Sequence, residues 1–210
     1  NRYYDFLSAY SAVNQGHCHP KIIQALIDQA KVLTLTSRAF YNNKLGEYEK
    51  YITDYFGYDM VLPMNSGAEA VETAMKLARK WAYDVKGVTP DEAILIFAEN
   101  NFHGRTISII TASSDPDCFE GFGPFTPGIT RVPYDDADAL KEYLEKNGKN
   151  VAAFIVEPIQ GEAGVVVPKD GYLKECYNLC KEHNVLFIAD EIQSGLARTG
   201  KLLACDYDNV

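Results

Sequence analysis

Long apolar runs and paired cysteines are missing from this sequence of 210 residues. No stretch approaches the roughly 18 apolar residues of a membrane-spanning helix, and no charged and then apolar leader opens the chain. The five cysteines are odd in number and form no C-x-x-C pair. These absences argue against a membrane partner, an export signal and a disulfide scaffold, and they favour a reduced intracellular protein.

Basic charge and metal-ligand clusters are also scarce. The chain has 20 Lys and Arg against 29 Asp and Glu, a formal net charge of −9, and it lacks the basic stripe that nucleic-acid binding requires. His17, Cys18 and His19 are adjacent, so regular structure cannot turn all three toward one ion, and no second cluster follows. We therefore predict neither a nucleic-acid partner nor a metal site.

Two nucleotide-binding motifs are incomplete. The segment Gly195–Leu202 nearly matches the phosphate loop G-x-x-x-x-G-K-[ST], but Leu202 has no hydroxyl for a metal ion and the segment has no strand of its own before it. The dinucleotide motif G-x-G-x-x-G is absent, and its closest approach, Gly121–Thr126, carries a proline where a helix would begin. These departures argue against nucleotide hydrolysis and dinucleotide binding.

Apolar runs alternate along the chain with amphipathic helical patterns. The predicted strands cover residues 60–64, 93–98, 129–132, 151–156 and 185–189. The predicted helices cover residues 20–33, 45–56, 67–82, 137–146 and 171–183. No repeat or linker interrupts this alternation, which predicts an α/β fold: a doubly wound, mostly parallel sheet with helices on both faces, preceded by a small N-terminal portion.

Asp190 follows the apolar run Val185–Ala189, which predicts a strand buried on both faces. It should therefore lie at the carboxyl edge of the sheet, where open α/β sheets bind ligands. A half-desolvated carboxylate there needs a cation or a proton donor. The candidates are a nucleotide-bound magnesium ion, the protonated ring nitrogen of a cofactor, and an Arg or Lys in a structural ion pair.

The segment Met64–Ala70 predicts a strand that turns through a glycine into a long helix. A helix N-terminus offers unpaired backbone N–H groups, and the small residues Ser66, Gly67 and Ala68 let that backbone approach a phosphate. The alternative is a capping box between Ser66 and Glu69, which would occupy the same donors. The capping box is favoured for the segment alone, whereas the combination with Asp190 favours the phosphate site.

The segment Asn101–Thr106 follows another predicted strand and so reaches the same edge of the sheet. Phe102 offers an aromatic face to a ring, and Arg105 offers a planar fork to a carboxylate. The alternatives are an ordinary core position for Phe102 and a surface ion pair for Arg105. Gly104, between them, indicates a close approach of the backbone to a neighbour.

A phosphate site, an aromatic face, a carboxylate for a ring nitrogen and an arginine together describe a phosphorylated pyridine cofactor. The sequence resembles the class III, ω-amino-acid aminotransferases, which use pyridoxal phosphate, in the segments Asn65–Ala70, Asn101–Arg105, Val156–Glu162 and Ile188–Gln193. The resemblance covers the whole chain. It implies that residues 41–210 form the cofactor-binding large domain, and that residues 1–40 are part of an N-terminal segment and the start of that domain.

The resemblance also implies which residues contact the cofactor. Those that hold its phosphate are Ser66, Gly67 and Ala68. Phe102 stacks on the pyridine ring, and Gln193 hydrogen-bonds its phenolic oxygen. Asp190 is the catalytic contact, because its pairing with the protonated ring nitrogen keeps the ring cationic and able to draw off an electron pair.

Three further segments resemble the members of the class that act on free ornithine, namely Ser8–Pro20, Leu35–Tyr41 and Gly161–Pro168. The implied reaction moves the δ-amino group of ornithine to 2-oxoglutarate and gives glutamate semialdehyde and glutamate. Arg105 would bind the α-carboxylate, Tyr10 would line the pocket, and Glu162 matches a carboxylate that pairs with a distant arginine. Acetylornithine, succinylornithine and other ω-amino acids stay open as substrates, although Tyr10 and residues 38–41 favour free ornithine.

Two residues of the family are expected to be missing, because its Schiff-base lysine and the arginine partner of Glu162 both follow the position of Val210. Lys201 corresponds to a loop residue of the family and not to that lysine. We therefore expect a large domain that is incomplete at its C-terminal end and inactive alone, within a homodimer or larger homo-oligomer of the cytoplasm or mitochondrial matrix. The alternative from another class is a non-catalytic fragment that dimerises.

Overall fold

The computed structural model describes residues 1–37 and 39–210, which fall into two compact units, Asn1–Met64 and Asn65–Val210. Arg38 belongs to the segment that favoured ornithine, and it lies outside the described residues. The predicted boundary between residues 40 and 41 concerns the domains of the family and stays a prediction. No described helix combines the length and the apolar character that crossing a membrane demands.

Helices dominate the unit Asn1–Met64. They are α1 (Ser8–Ser11), α2 (Pro20–Ala30) and α3 (Leu45–Phe56). Helix α2 begins at a proline, whose fixed φ suits the first helical position, and α3 ends where Gly57 adopts a left-handed φ of +74°. In α1, Ala9 and Tyr10 have left-handed torsion angles, so α1 is a tight turn and not a regular helix. The prediction for α3 is confirmed, whereas the helix predicted at residues 20–33 ends at Ala30.

The strand predicted at residues 60–64 is wrong. These residues form no regular element, and the side chains of Met60 and Leu62 are more than half exposed. A strand needs neighbours that pair with its backbone and a face to bury, and none of the strands in the described residues pairs with this segment. An apolar pattern in the sequence does not by itself supply that neighbour.

A four-stranded parallel sheet in the order β2-β1-β3-β4 forms the centre of the unit Asn65–Val210. Its strands are β1 (Ile94–Ala98), β2 (Ile129–Val132), β3 (Val151–Val156) and β4 (Leu186–Ala189). The α-helices of this unit are α4 (Gly67–Trp81), α5 (Pro116–Phe119), α6 (Ala137–Asn147) and α7 (Tyr172–Glu182). The predicted doubly wound parallel sheet is confirmed, and its four strands and the helices α4, α6 and α7 end within two residues of their predicted bounds, whereas the short helix α5 was not predicted.

Helices cover both faces of the sheet. Helices α6 and α7 pack on one face, where Ile96 and Phe154 are buried. Helix α4 packs on the other face, where Leu95, Phe97 and Ile155 are buried. Because successive residues of a strand point to opposite faces, β1 and β3 each contribute to both apolar cores.

The prediction that residues 185–189 are buried on both faces is wrong for β4. All four residues of β4 are only partly buried, whereas all six residues of β3 are buried. The sheet order accounts for the difference, because β3 lies between β1 and β4 whereas β4 is an edge strand. The strand and the position of Asp190 just after it are nevertheless as predicted.

Candidate functional site

The start of α4 and the loops that follow β1, β3 and β4 meet at the carboxyl edge of the sheet. Their contacts depend on glycines that leave no room for a side chain. A Cβ atom on Gly104 would lie 2.8 Å from Ala68 Cβ, and one on Gly161 would lie 2.5 Å from Gln193 Oε1. Gly104 also has a φ of +128°, which favours glycine. The close approach predicted at Gly104 is confirmed, and its neighbour is the first turn of α4.

The first turn of α4 combines a side-chain cap with free backbone donors. Ser66 Oγ accepts a hydrogen bond from the Glu69 N–H at 3.3 Å, and a Glu69 carboxylate oxygen accepts one from the Asn65 N–H at 2.8 Å. The capping alternative is therefore realised, with Glu69 reaching one residue before the N-cap. The N–H groups of Gly67 and Ala68 still have no intrahelical acceptor, as in the first turn of any helix. Capping and anion binding are compatible here, because they use different donors.

The partner of Asp190 in the structure is a histidine, which was not among the three partners considered from the sequence. Asp190 Oδ2 lies 2.7 Å from His103 Nδ1, and Asp190 Oδ1 accepts the Ile192 N–H at 3.1 Å. The Asp190 side chain is 6% exposed and that of His103 is fully buried. His103 also packs against Phe97, with ring centroids 5.4 Å apart. In the sequence, His103 is indicated only by its place in the segment Asn101–Thr106, between Phe102 and Arg105, to which we assigned roles.

Glu157 is a second buried group to which the sequence analysis assigned no role. It follows β3, and its Oε2 accepts the Phe102 N–H at 3.1 Å. Burial raises the pKa of the Glu157 carboxyl to about 7, and the nearby charge of Asp190 raises it as well, whereas the hydrogen bond from the Phe102 N–H lowers it. Glu157 thus links the loops after β1 and β3 to the carboxylate that follows β4.

Phe102 and Arg105 lie on one loop with their side chains in contact. The guanidinium carbon of Arg105 is 5.8 Å from the centroid of the Phe102 ring, a cation–π distance. Phe102 is half-buried and therefore not an ordinary core residue, and Arg105 is exposed. In the part of the chain that the structure describes, no carboxylate forms an ion pair with Arg105. The guanidinium therefore remains available to an acidic ligand.

Gln193 and Glu162, for which the family resemblance implies separate roles, contact each other. The amide Nε2 of Gln193 donates a hydrogen bond to Glu162 Oε1 at 2.9 Å. An amide nitrogen carries two hydrogens, so one remains for a ligand oxygen. Glu162 is exposed, and Gln193 is half-buried against Gly161.

Lys201 contacts a residue close to it in the sequence. Lys201 Nζ is 5.5 Å from the centroid of the Tyr207 ring, and the Tyr207 hydroxyl donates a hydrogen bond to the Thr199 carbonyl oxygen at 2.6 Å. Tyr10 belongs to the unit Asn1–Met64, and its role stays a prediction. His17 forms an ion-pair contact of 2.7 Å with Asp5, and no group of His, Cys, Asp and Glu among residues 1–37 and 39–210 could hold a metal ion.

The parallel sheet and the polar cluster at its carboxyl edge define an open α/β protein with a candidate ligand site at that edge. Residues 1–210 match the class III aminotransferase family, and the chain belongs to that family. The resemblance inferred from the sequence motifs is therefore confirmed.

Individual relatives cover the chain from end to end. It is 65% identical to the probable mitochondrial ornithine aminotransferase of Caenorhabditis elegans, a match over 100% of this chain and 49% of the relative. A solved ornithine aminotransferase of Toxoplasma gondii, with partial occupancy of PLP (pyridoxal phosphate) at its active site, has a TM-score of 0.98 to this chain. The two are 57% identical, over 100% of this chain and 49% of the Toxoplasma chain. An acetylornithine aminotransferase of Elizabethkingia anophelis has a TM-score of 0.87 and 66% identity over 99% and 50%. The chain thus spans about half the length of these relatives.

Proposed function

We propose that this chain forms the cofactor site of an ornithine δ-aminotransferase that uses pyridoxal phosphate. The full-length protein moves the δ-amino group of ornithine to 2-oxoglutarate and gives glutamate semialdehyde and glutamate. The observation that carries this proposal is the buried carboxylate of Asp190 at the sheet edge where α4 begins. The ornithine aminotransferases among the relatives, at 65% and 57% identity, support it.

The residues at this edge fit pyridoxal phosphate. The N–H groups of Gly67 and Ala68, which have no intrahelical acceptor and whose own side chains are absent or small, suit the phosphate, together with Ser66. The Asp190 carboxylate is held at both oxygens and suits the protonated ring nitrogen, where it would keep the proton in place. Phe102 is half-buried and presents a face to the ring. When bound, the cofactor supplies an electron sink for a substrate carbon that loses its proton.

Four residues are proposed to recognise the substrates and the phenolic oxygen. Arg105 takes the α-carboxylate of ornithine, which leaves the terminal amine to react, because a guanidinium fork pairs with both oxygens of a carboxylate. The remaining amide hydrogen of Gln193 suits the phenolic oxygen. Glu162 holds Gln193 through the other hydrogen, and we propose that it also adjusts the pocket for ornithine and for the shorter oxoacid. Tyr10 is proposed to line the ornithine pocket.

Acetylornithine is the second candidate substrate, and one observation favours it. The acetylornithine aminotransferase of Elizabethkingia anophelis is 66% identical to this chain, as similar as the relatives named for ornithine. The cofactor residues cannot separate the two substrates, because both carry the same α-carboxylate for Arg105. The choice depends on how the pocket treats the distal amine.

We further propose a homodimer or larger homo-oligomer in the cytoplasm or the mitochondrial matrix. The exposed tyrosines of α3, Tyr48, Tyr51 and Tyr55, support an interface, and the five free cysteines support a reducing compartment. The Schiff-base lysine is proposed to come from the half of the family's length that this chain does not match. Lys201 is not proposed for that role, since its amine packs over the Tyr207 ring.

A comparison of two substrates tests the proposal. We expect the full-length protein with pyridoxal phosphate and 2-oxoglutarate to turn over ornithine with a kcat/KM well above that for N-acetylornithine. The assay follows glutamate formation for both substrates and semialdehyde formation for ornithine. A preference for N-acetylornithine would replace the substrate but keep the family, and the absence of transamination with any ω-amino acid would refute the proposed function.

A further inference from the structure

We propose that His103 is a positioning residue, which acts as a neutral hydrogen-bond donor and orients the Asp190 carboxylate toward the cofactor's ring nitrogen without cancelling its charge. The inference rests on the proposed function, because it takes Asp190 as the partner of that nitrogen. It assigns a role to a buried side chain that does not itself touch substrate or cofactor.

The geometry around Asp190 leaves its carboxylate a single orientation. His103 Nδ1 lies 2.7 Å from Oδ2, and the Ile192 N–H lies 3.1 Å from Oδ1. Two donors on different oxygens fix rotation about the last side-chain bond, which is otherwise broad for aspartate. Each carboxylate oxygen has a second lone pair, so the carboxylate can still accept a bond from a third donor.

The other nitrogen of His103 indicates which form of the ring is present. Nε2 is buried and has no hydrogen-bond partner among residues 1–37 and 39–210. A doubly protonated ring would bury an unpaired cationic N–H, and that costs more than an unpaired neutral acceptor. The neutral form with its hydrogen on Nδ1 is therefore favoured, and it donates to Asp190.

A neutral partner has a chemical advantage at this position. A lysine or arginine beside Asp190 would be a permanent cation and would compete with the ring nitrogen for the carboxylate's charge. Neutral His103 and the Ile192 N–H hold the carboxylate without that competition. The negative charge of Asp190 then remains to stabilise the proton on the ring nitrogen.

The protonation of Glu157 determines the net charge of the buried cluster formed by Asp190, His103 and Glu157. Glu157 is 5% exposed, and burial raises the pKa of its carboxyl to about 7. Below that pH Glu157 is neutral, so with neutral His103 the cluster carries one negative charge, on Asp190. A protonated ring nitrogen balances this charge, whereas a cationic His103 would already have balanced it.

The direct test needs no substitution. In the full-length protein with bound pyridoxal phosphate, nitrogen-15 NMR of labelled histidine should show His103 protonated at Nδ1 and unprotonated at Nε2 at pH 6, where Glu157 is neutral. Labelling of the cofactor's ring nitrogen should show that nitrogen protonated in the same sample. Protonation of both His103 nitrogens, or of Nε2 alone, would overturn the inference.

Two substitutions separate positioning from simple packing. His103→Leu removes the donor and should weaken cofactor binding about 10-fold or more, the effect of losing a hydrogen bond to a charged group. It should also make the ring nitrogen lose its proton at a lower pH. His103→Asn places an amide donor near the position of Nδ1 and should restore most of both properties. His183→Leu removes an imidazole at the C-terminal end of α7 and serves as the matched control.

The outcomes distinguish this inference from the proposed function. If Asp190→Asn lowers the pH at which the ring nitrogen loses its proton but His103→Leu does not, the inference about His103 is wrong and Asp190 keeps its role. If neither variant has an effect, or the wild type does not bind the cofactor, the proposed function fails as well. If His103→Leu does not fold, His103→Asn and the wild-type NMR spectra still test whether His103 positions Asp190. A His103→Asn variant in which the ring nitrogen is deprotonated would contradict positioning by a single donor.

Discussion

The two ends of the candidate site are built in different ways. At the start of α4, backbone N–H groups of small and partly exposed residues form the proposed phosphate site. At the other end, Asp190, His103 and Glu157 are buried, and their contacts join residues 55 to 87 positions apart. Backbone donors are present whatever the side chain, whereas a buried carboxylate has no substitute. Substitutions should therefore be mild at the first end and severe at the second.

Asp190→Asn should have the largest effect. The ring nitrogen would lose its anionic partner, and its pKa would fall by about 1–3 units. We expect the half-reaction with ornithine in the full-length protein to slow by orders of magnitude in rapid-mixing spectra. Cofactor binding should persist through the phosphate end, as equilibrium dialysis would show. An unchanged half-reaction rate would refute the role of Asp190 and remove the contrast between the two ends.

Glu157→Gln should change how stability depends on pH. The Glu157 carboxyl has a pKa of about 7 in the folded protein against an ordinary value of 4.5, so the folded state binds more protons between these pH values. The wild type should therefore lose stability as the pH rises from 4.5 to 7, by about 3 kcal/mol. Glu157→Gln should lack this loss, whereas Glu145→Gln on the exposed side of α6 should retain it. Urea unfolding of both variants at pH 5 and pH 8 measures the difference, and parallel pH profiles for wild type and Glu157→Gln would contradict a buried ionisable Glu157.

Arg105→Leu tests the exposed residue between the two ends. Losing charge-assisted hydrogen bonds to a carboxylate should raise the KM for ornithine about 10- to 100-fold. The substrate 1,4-diaminobutane is ornithine without its carboxylate, and it provides the control. Wild type and variant should turn it over with similar kcat/KM, because Arg105 has nothing to bind. Equal losses with both substrates would indicate that Arg105 supports the loop and does not bind the carboxylate.

Ser66→Ala should have the smallest effect. The loss of an N-cap costs about 1 kcal/mol of stability, and the backbone donors of Gly67 and Ala68 remain. We expect the cofactor dissociation constant to rise by less than about 10-fold. Asp136→Ala is the matched control, because Asp136 caps α6 through the Ala139 N–H at 2.9 Å, far along the chain from the site. It should cost similar stability and leave cofactor affinity unchanged, and equal affinity losses in both variants would mean that Ser66 acts only through folding.

Local patterns predicted most of the fold. Pro20 begins α2, Gly57 ends α3, and the Ser66 cap precedes α4, so these helices follow from signals within a few residues. The strand predicted at residues 60–64 failed for the opposite reason, because a strand depends on a partner that the segment itself does not specify. The burial of β4 was overestimated because its place at the sheet edge depends on the order of all four strands.

The site shows the same division. The motifs indicated Ser66, Phe102 and Asp190 as candidates because each follows or begins a recognisable element. His103 and Glu157 escaped because their importance arises from packing between distant segments. The contact between His103 and Asp190 spans 87 residues, and no local spacing predicts it. Buried polar groups of this kind become visible only when the loops after several strands are placed together.

A crystal structure of the full-length protein with pyridoxal phosphate would test the assignment of Asp190 as the partner of the ring nitrogen. This assignment predicts an Asp190 carboxylate oxygen within about 2.7–3.2 Å of the ring nitrogen while His103 Nδ1 keeps its contact with Asp190. It also predicts the phosphate on the N–H groups of Gly67 and Ala68 and the ring against Phe102. A cofactor ring bound elsewhere, with Asp190 contacting only His103 and Ile192, would contradict it.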